Sequence, residues 1–517
     1  MKNASYDCFI SRLLVMVLTL LFAVCACTDS QTISDEPSLL PPAPTVYEAA
    51  DIADGKVVLI RNKETGRALN MQLSGMMERS RVWQYGKTGM LDELWRVHVS
   101  GEYVSFENLF IPRYVSRRDE GITEGTVIDV ALPGELESHL WRLVCVGDAY
   151  MLIPNGGDGS LILGLPNDDR SSDNLPTLVE NNGENTSLWV FEEVTLQNEL
   201  PYMLPVDGNI YHSSCPQMIK HGDTYYLVAQ APNISIKASS DMVNWDIVGK
   251  VFPGGDPSWL DKEVPGYGIW APSVYKIGDK YYVYYSVSTI GSQNSAIGVA
   301  VNETLDSSSA KYRWVDLGMV IRSYTGSDYN CIDPNIFIEE NGEVWLTFGS
   351  YWNGIFQMRI NPETGLLMYP ADSDENVVHH IARRTVSYGA IEAPYIIKKD
   401  GYYYLFTAFN PMDLSYHNRV GRSESLHGPF IDRKGNDMMS GGGTEFTKGS
   451  YELQLPGHGS IFKDDDGQYY FVGEYFRDFL EGGSPSILMI STIVWDNEGW
   501  PISALTPDAV KRLTMEQ

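Results

Sequence analysis

A two-stranded unit recurs five times in the C-terminal part of the chain, and it limits the possible folds more than any other feature. Each copy is a short strand, a tight turn and a second strand rich in aromatic residues; in the fourth copy the turn is Asp400-Gly401. Hairpins repeated at a near-constant period, without helical periodicity, are typical of a β-propeller. The sequence therefore predicts five blades. Their leading residues, spaced 56, 62, 59 and 66 positions apart, are Cys215, Ala271, Asp333, Glu392 and His458.

The leading residues of the blades should meet in one place. The innermost strand of each propeller blade begins near the central axis, so five such residues converge on one pocket. Ordinary turn chemistry does not require an Asp, a Glu and a His at equivalent positions. Glycoside hydrolysis does use two carboxyl groups, one to protonate the leaving oxygen and one to activate water. Burial and a neighbouring carboxylate raise the pKa of a Glu. Glu392 is the candidate general acid.

Several short motifs between residues 205 and 500 resemble glycoside hydrolase family 43, and most closely its endo-1,5-α-L-arabinanase branch. The resemblance implies a five-bladed propeller that hydrolyses α-L-arabinan, or a related pectic or hemicellulosic polysaccharide, by an inverting mechanism. It implies that Glu392 is the general acid and that Asp333 orients it and adjusts its pKa. It also implies that His458 faces a metal ion, usually calcium, at the propeller centre. The motifs are Tyr267-Gly268-Ile269-Trp270-Ala271-Pro272, Asp333-Pro334-Asn335, Phe348-Gly349-Ser350-Tyr351-Trp352, Ala390-Ile391-Glu392-Ala393-Pro394-Tyr395, Arg419-Val420-Gly421-Arg422 and Pro456-Gly457-His458.

One residue departs from this pattern at a critical point. The resemblance places the general base, an Asp, at the head of the first blade, where this chain has Cys215. A thiol has an ordinary pKa of about 8.5 and is mostly neutral at pH 7. Three interpretations stay open. Asp207 or His212 could substitute as base, the substrate or mechanism could be altered, or the protein could be an inactive glycan-binding protein of the cell surface. The sequence leaves open whether the chain is an enzyme.

Substrate contacts are predicted from side chains near the tops of the blades. Flat aromatic rings stack on sugar faces, which makes Trp270, Tyr351 and Trp352 candidates, and Arg419 could reach a sugar hydroxyl. Packing between blades is the alternative for each of these aromatic residues. An ion pair within the fold is the alternative for Arg419.

A second repeat precedes the propeller. Trp95, Trp141 and Trp189 follow one another at intervals of 46 and 48 residues, and each closes a unit that opens with a Gly-led strand. Three such units resemble the ricin-type β-trefoil, a carbohydrate-binding fold. The predicted architecture is therefore all-β, with a β-trefoil at residues 47–197 and the propeller at residues 198–517. Sugar binding by the trefoil and a purely structural role for its three tryptophans are both open.

The first residues read as a targeting segment. A basic start and a short apolar run precede Val24-Cys25-Ala26-Cys27, which resembles a bacterial lipobox. We predict a signal peptide at 1–26, lipid attachment on Cys27 as the only membrane contact, and an acidic, Pro-rich tether at 27–46. An acidic stretch after the Cys resembles the export signal of Bacteroidetes surface lipoproteins. This predicts a protein exposed on the outer membrane. We also expect a monomer. The net charge of -29 argues against nucleic acid as a partner. The resemblance to glycoside hydrolase family 43 implies a polysaccharide or oligosaccharide instead.

Overall fold

The computed structural model describes residues 52–513 apart from short gaps at 73–78, 87–88, 135–136, 169, 172–173, 197–198, 451–452, 480–481 and 483–484. The predicted signal peptide, Cys27 and the tether lie outside the described residues. The α-helices within this range are one turn each, α1 (Trp259–Glu263) and α2 (Ala509–Leu513). None of the described helices is long and apolar enough to cross a membrane. The described chain is thus built from strands.

Between residues 52 and 196, the described part of the chain forms twelve strands. Ten of them form one sheet in the order β3-β2-β1-β12-β9-β8-β5-β6-β7, with β4 paired to both β1 and β5, while β10 and β11 form a separate hairpin. The strands are β1 (Val57–Asn62), β2 (Ala68–Met71), β3 (Val82–Tyr85), β4 (Leu94–Ser100), β5 (Tyr103–Asn108), β6 (Tyr114–Arg117), β7 (Ile128–Ala131), β8 (Trp141–Val146), β9 (Ala149–Pro154), β10 (Leu161–Gly164), β11 (Thr177–Glu180) and β12 (Trp189–Glu193).

Three tryptophans occupy repeated positions in this region. Trp95, Trp141 and Trp189 are completely buried, and each follows a short 3₁₀ turn. Each indole Nε1–H donates to a backbone carbonyl 26 residues earlier in the chain. The acceptors are the carbonyl oxygens of Leu69 at 2.7 Å, Val115 at 3.3 Å and Leu163 at 3.0 Å. The sequence repeat is therefore a repeat of structure, with the same buried hydrogen bond in each unit.

The remaining strands form five sheets, which are the five blades of a propeller; all neighbouring strands are antiparallel except the outermost pair of the first blade, which is parallel. Each of the last four blades has four strands in chain order, and the first has a fifth strand, β13, at its outer edge. The blades are β13 (Asp207–Gly208), β14 (Ser214–His221), β15 (Thr224–Gln230), β16 (Ser235–Ser239) and β17 (Asn244–Lys250); β18 (Gly268–Ile277), β19 (Lys280–Ser288), β20 (Ser295–Asn302) and β21 (Val315–Ser323); β22 (Asn335–Ile338), β23 (Val344–Phe348), β24 (Ile355–Ile360) and β25 (His379–Ala382); β26 (Ile391–Lys399), β27 (Tyr402–Phe409), β28 (His417–Ser423) and β29 (Thr444–Glu445); and β30 (Gln454–Lys463), β31 (Tyr469–Phe476), β32 (Ile487–Trp495) and β33 (Pro501–Ser503).

The ring is closed by contacts between its first and last blades. The innermost strand of each blade contacts the next, and β14 contacts β30. The segment before β14 also forms bridges to β32, through Met203 with Ser491 and Tyr211 with Ile487. The five predicted blades are confirmed. Residues 52–513 belong to one compact unit, so the boundary at 197/198 stays a prediction.

Candidate active site

A left-handed residue stands at the head of every innermost strand. The φ angles are 49° at Cys215, 39° at Ala271, 57° at Asp333, 52° at Ala393 and 40° at His458. Non-glycine residues rarely adopt such angles, and they cluster at functional sites. Bulges in the pairing follow in β14, β18, β26 and β30. A bulge turns the chain and redirects side chains, here toward the axis. In the fourth blade the left-handed residue is Ala393 and not Glu392. Glu392 therefore lies one residue before the position that is equivalent to Asp333 of the third blade.

These strand heads surround a cavity of about 520 Å³. The predicted residues Cys215, Asp333, Glu392 and His458 all line it. Other lining residues that bear on the chemistry are Gln230, Trp270, Ser350, Tyr351, Trp352, Tyr416 and Glu474. The cavity therefore combines carboxylates with aromatic rings, the mixture that sugar-binding sites use.

Glu392 is held by two hydroxyl groups. The Tyr416 hydroxyl donates to Oε1 at 2.7 Å, and the Ser350 hydroxyl donates to Oε2 at 2.9 Å. Burial raises the pKa of Glu392, and the neighbouring Asp333 raises it further. His458 and the two hydroxyl groups oppose this increase. The carboxyl group thus has a fixed orientation and a raised pKa, as a general acid requires.

Asp333 lies next to the backbone that carries Glu392. Its Oδ2 accepts the Ala393 N–H at 3.0 Å, and its own N–H donates to the Ser286 hydroxyl at 2.8 Å. The other oxygen, Oδ1, is 3.9 Å from Nε2 of His458. Burial raises the pKa of Asp333 to about 7, although the Ala393 N–H lowers it. Asp333 therefore fixes the chain beside Glu392 and, when charged, favours the protonated form of Glu392.

Cys215 lies at the head of the first blade, as expected, but its thiol does not have the properties of a base. Burial raises the pKa of Cys215 well above its ordinary value, and the carboxylates of Glu474, Asp333 and Glu392 raise it further. Its Sγ is 3.6 Å from Oε1 of Gln230. The thiol is consequently neutral near pH 7.

Glu474 is a carboxylate in this cavity that the sequence analysis missed. It lies on β31, the second strand of the fifth blade, and is 3% exposed. Its Oε1 accepts the Cys215 N–H at 3.3 Å, while Oε2 is buried without a hydrogen-bond partner in the described part of the structure. Burial raises the pKa of Glu474 to about 7; the Ser214 hydroxyl and the Cys215 N–H lower it, and Glu392 raises it. The signal in the sequence was a single Glu within an otherwise aromatic and apolar strand.

Neither predicted substitute base reaches the cavity. Asp207 is exposed on β13, which pairs with β17 at the outer edge of the first blade. His212 is also exposed and is absent from the cavity lining. The reason is ring closure, because the chain passes along the fifth blade before it enters β14. Proximity in sequence to Cys215 therefore does not bring these groups to the axis.

The predicted substrate contacts divide into two groups. Trp270, Tyr351 and Trp352 line the cavity, and Trp352 is 40% exposed, which leaves its ring available to a ligand. Arg419 is absent from the cavity lining. Its guanidinium donates to His417 and to Glu445 and lies 5.0 Å from the ring of Phe409, all within the fourth blade. The expectation that Arg419 contacts substrate is therefore not supported, and its role is to tie strands together.

The only group among the described residues that could hold a metal comprises Cys215, His458 and Glu474, whose ligand atoms lie within 4.8 Å of one another. Calcium takes roughly six to eight oxygen ligands, whereas thiolate and imidazole suit zinc and other transition metals. Only Glu474 supplies oxygen here. Burial lowers the pKa of His458, which keeps the imidazole neutral. The donor set of these three residues fits calcium poorly.

Comparison with known proteins gives one consistent result. Residues 210–501 match the model of glycosyl hydrolases family 43. An extracellular exo-α-(1→5)-L-arabinofuranosidase of Cellvibrio japonicus is 38% identical over 304 residues, which are 55% of this chain and 84% of that protein. An extracellular endo-α-(1→5)-L-arabinanase of Bacillus subtilis is 34% identical over 296 residues, 55% of this chain and 86% of the relative.

Solved structures agree. The α-L-arabinanase of Cellvibrio cellulosa, in complex with arabinohexaose, matches with a TM-score of 0.53 and 33% identity, covering 60% of this chain and all of that one. An exo-1,5-α-L-arabinanase from a bovine ruminal metagenomic library matches with a TM-score of 0.51 and 34% identity, covering 58% of this chain and 98% of that one. The matched length, the five blades and the carboxylates at the axis lead to one conclusion: this chain belongs to glycosyl hydrolases family 43.

Proposed function

We propose that this protein hydrolyses α-1,5-linked L-arabinan, or a closely related pectic or hemicellulosic side chain, with inversion at the anomeric carbon. The observation that carries the proposal is the setting of Glu392, which is fixed by Tyr416 and Ser350 and lies beside Asp333 in an aromatic cavity. The substrate class rests on the relatives, which are named as arabinanases and arabinofuranosidases.

The first half of the reaction follows from this setting. A sugar ring that stacks on Trp270 or Trp352 brings its glycosidic oxygen to Glu392. Glu392 gives its proton to that oxygen as the bond to the anomeric carbon breaks, and Asp333 favours the proton-bearing form of Glu392 beforehand. Water must attack from the opposite face, and a base must take a proton from it. Cys215, at the expected position of the base, is a neutral thiol.

The neutral Cys215 is the specific observation that favours a second function, glycan binding without hydrolysis. The two functions differ in a single assay on linear α-1,5-arabinan. Hydrolysis releases reducing sugar, and Glu392→Gln should slow the release by about 10²–10⁴-fold. Binding alone retards the protein in an affinity gel that contains the polymer, without products. Retardation without products for the wild-type protein contradicts the hydrolase proposal.

A cation beside His458 is a separate proposal, which rests on the resemblance to family members that hold calcium. Because the donor set of Cys215, His458 and Glu474 fits calcium poorly, no step of the proposed reaction passes through an ion. Metal analysis of the purified protein, and activity before and after chelation, test this proposal.

Residues 47–197 are proposed to form a β-trefoil that accompanies the propeller. The support is the threefold recurrence of a 3₁₀ turn, a buried Trp and its hydrogen bond to a carbonyl 26 residues earlier. The proposed location is the outer surface of the cell, where a lipid on Cys27 anchors the protein. The named relatives are extracellular. Metabolic labelling with a fatty acid, lost in Cys27→Ala, tests the anchor.

A further inference from the structure

Three carboxylates line the axial cavity in the described part of the chain: Asp333, Glu392 and Glu474. Inverting hydrolysis requires two of these groups, an acid and a base on opposite faces of the sugar. Glu392 has the setting of the acid. The remaining question is which of the other two carboxylates activates water.

Asp333 is unsuited to activating the water because its carboxylate contacts the backbone next to the general acid, Glu392. Its Oδ2 is engaged by the N–H of Ala393, the residue after Glu392, and its Oδ1 lies toward His458. A carboxylate that supports the acid cannot also face the opposite side of the sugar. Its geometry is that of a positioning residue.

Glu474 approaches the cavity from a different sector of the ring. Glu392 is held by groups of the third and fourth blades, Ser350 and Tyr416. Glu474 belongs to the fifth blade and is held by the backbone of Cys215 in the first blade. The Cys215 N–H fixes Oε1, and the Ser214 hydroxyl also stabilises the charged carboxylate. Oε2 is buried and unpartnered among the described residues, which leaves it available to a water molecule.

We propose that Glu474 is the general base of this protein, in place of the carboxylate that is missing at position 215. The proposal rests on the hydrolase function proposed above. The water oxygen forms a bond to the anomeric carbon while one of its protons passes to Oε2 of Glu474. The bond between the anomeric carbon and the leaving oxygen breaks, and that oxygen takes the proton of Glu392. One water is consumed, and the two carboxyl groups exchange protonation states.

The residue at 215 is consistent with this assignment. A carboxylate there would lie beside Glu474, whose Oε1 already accepts the Cys215 N–H at 3.3 Å. Two adjacent buried carboxylates repel each other, and one of them takes up a proton. A neutral thiol at 215 avoids this repulsion.

The test compares Glu474→Gln with the wild-type protein on linear α-1,5-arabinan. Because a positioned base typically contributes about 10²–10⁴-fold, kcat should fall by that factor. The acidic limb of the pH profile of kcat/KM, where the base takes up its proton, should disappear. Asp464→Asn is the matched control. It removes a charge from the same blade, where Asp464 binds Lys220 and Tyr225 away from the cavity, and it should keep the acidic limb.

Chemical rescue separates a base from a structural residue. In Glu474→Ala, added azide can attack the anomeric carbon without losing a proton, so arabinosyl azide of inverted configuration should form. Cys215→Ser should lose less than about tenfold in kcat, because the base is elsewhere. Cys215→Asp combined with Glu474→Gln should regain part of the lost activity, since it returns one carboxylate to this side of the cavity.

The outcomes distinguish the two proposals. If the wild-type protein releases sugar and Glu474→Gln retains kcat and the acidic limb, Glu474 is not the base although the protein is a hydrolase. If chelation abolishes the wild-type activity and Glu474→Gln has lost a bound metal, Glu474 is a metal ligand and the assignment is overturned. If the wild-type protein binds arabinan without releasing sugar, the hydrolase function itself fails.

Discussion

The Tyr416 hydroxyl offers a quantitative test of Glu392 as the acid. It donates to Oε1 of Glu392 at 2.7 Å from a side chain that is 2% exposed. A hydrogen bond to a charged group contributes about 1.5–3 kcal/mol. The protonated carboxyl group can still accept a weaker hydrogen bond from Tyr416. We therefore assign about half of this energy, ~0.7–1.4 kcal/mol, to the preference of the hydroxyl for the charged form of Glu392. Its loss increases the proton affinity of Glu392 by roughly three- to tenfold.

The expected direction follows from the role of the acid. Activity requires protonated Glu392, so kcat/KM falls as the pH rises through its pKa. Tyr416→Phe removes a contact that lowers this pKa, and the alkaline limb should move to higher pH by about half to one pH unit. Asp333→Asn removes a charge that raises the same pKa, and the limb should move to lower pH.

The assay is reducing-sugar release from linear α-1,5-arabinan across the pH range in which each variant stays folded. Tyr404→Phe is the matched control, because that buried hydroxyl donates to the Gly499 carbonyl and does not line the cavity. Its alkaline limb should coincide with that of the wild-type protein. An unmoved limb in Tyr416→Phe, or a shift in the same direction for Tyr416→Phe and Asp333→Asn, would falsify the assignment of Glu392.

Three further results are expected. Glu392→Gln should lower kcat on arabinan by about 10²–10⁴-fold while the affinity for the polymer in gels stays close to that of the wild-type protein, and a smaller loss of kcat contradicts its role as acid. Asp333→Asn should stabilise the protein more at pH 8 than at pH 5, by at most about 3 kcal/mol in chemical denaturation, because burial raises the pKa of Asp333 from 3.8 to about 7 and the folded state resists losing that proton. Trp189→Phe should destabilise the full chain by about 1–3 kcal/mol, since the buried Leu163 carbonyl loses its donor, and an unchanged denaturation midpoint would show that this hydrogen bond is dispensable.

The repeat of hairpins was sufficient to predict the propeller and most of its pocket. Turn residues and aromatic strands are local signals of a hairpin, and their near-constant period along the chain indicates that the hairpins are arranged as a ring. Asp333, Glu392 and His458 lie where the ring geometry places strand heads. The position of Asp207 could not be predicted this way, because its strand β13 pairs with the outer strand β17 of the first blade while residues on either side of it bridge to the fifth blade.

Arg419 shows a second limit. Its sequence neighbours resemble a motif of the family, but its guanidinium is engaged by His417, Glu445 and the ring of Phe409. A sequence shows which residues can bind a sugar hydroxyl. It does not show whether neighbouring side chains in the fold already accept the hydrogen bonds that the residue can donate.

Glu474 was missed for a reason that can be corrected. The heads of the innermost strands gave the predicted carboxyl groups, yet in an antiparallel hairpin each head is paired with the far end of the second strand. The pairs are Ser214 with Gln230 and Gly457 with Glu474. Both second-strand partners line the cavity. Pairing residues outward from the hairpin turn of each blade would therefore have placed Glu474 beside the axis. Glu474 belongs to the fifth blade, which is next to the first blade, where Cys215 replaces the expected carboxylate.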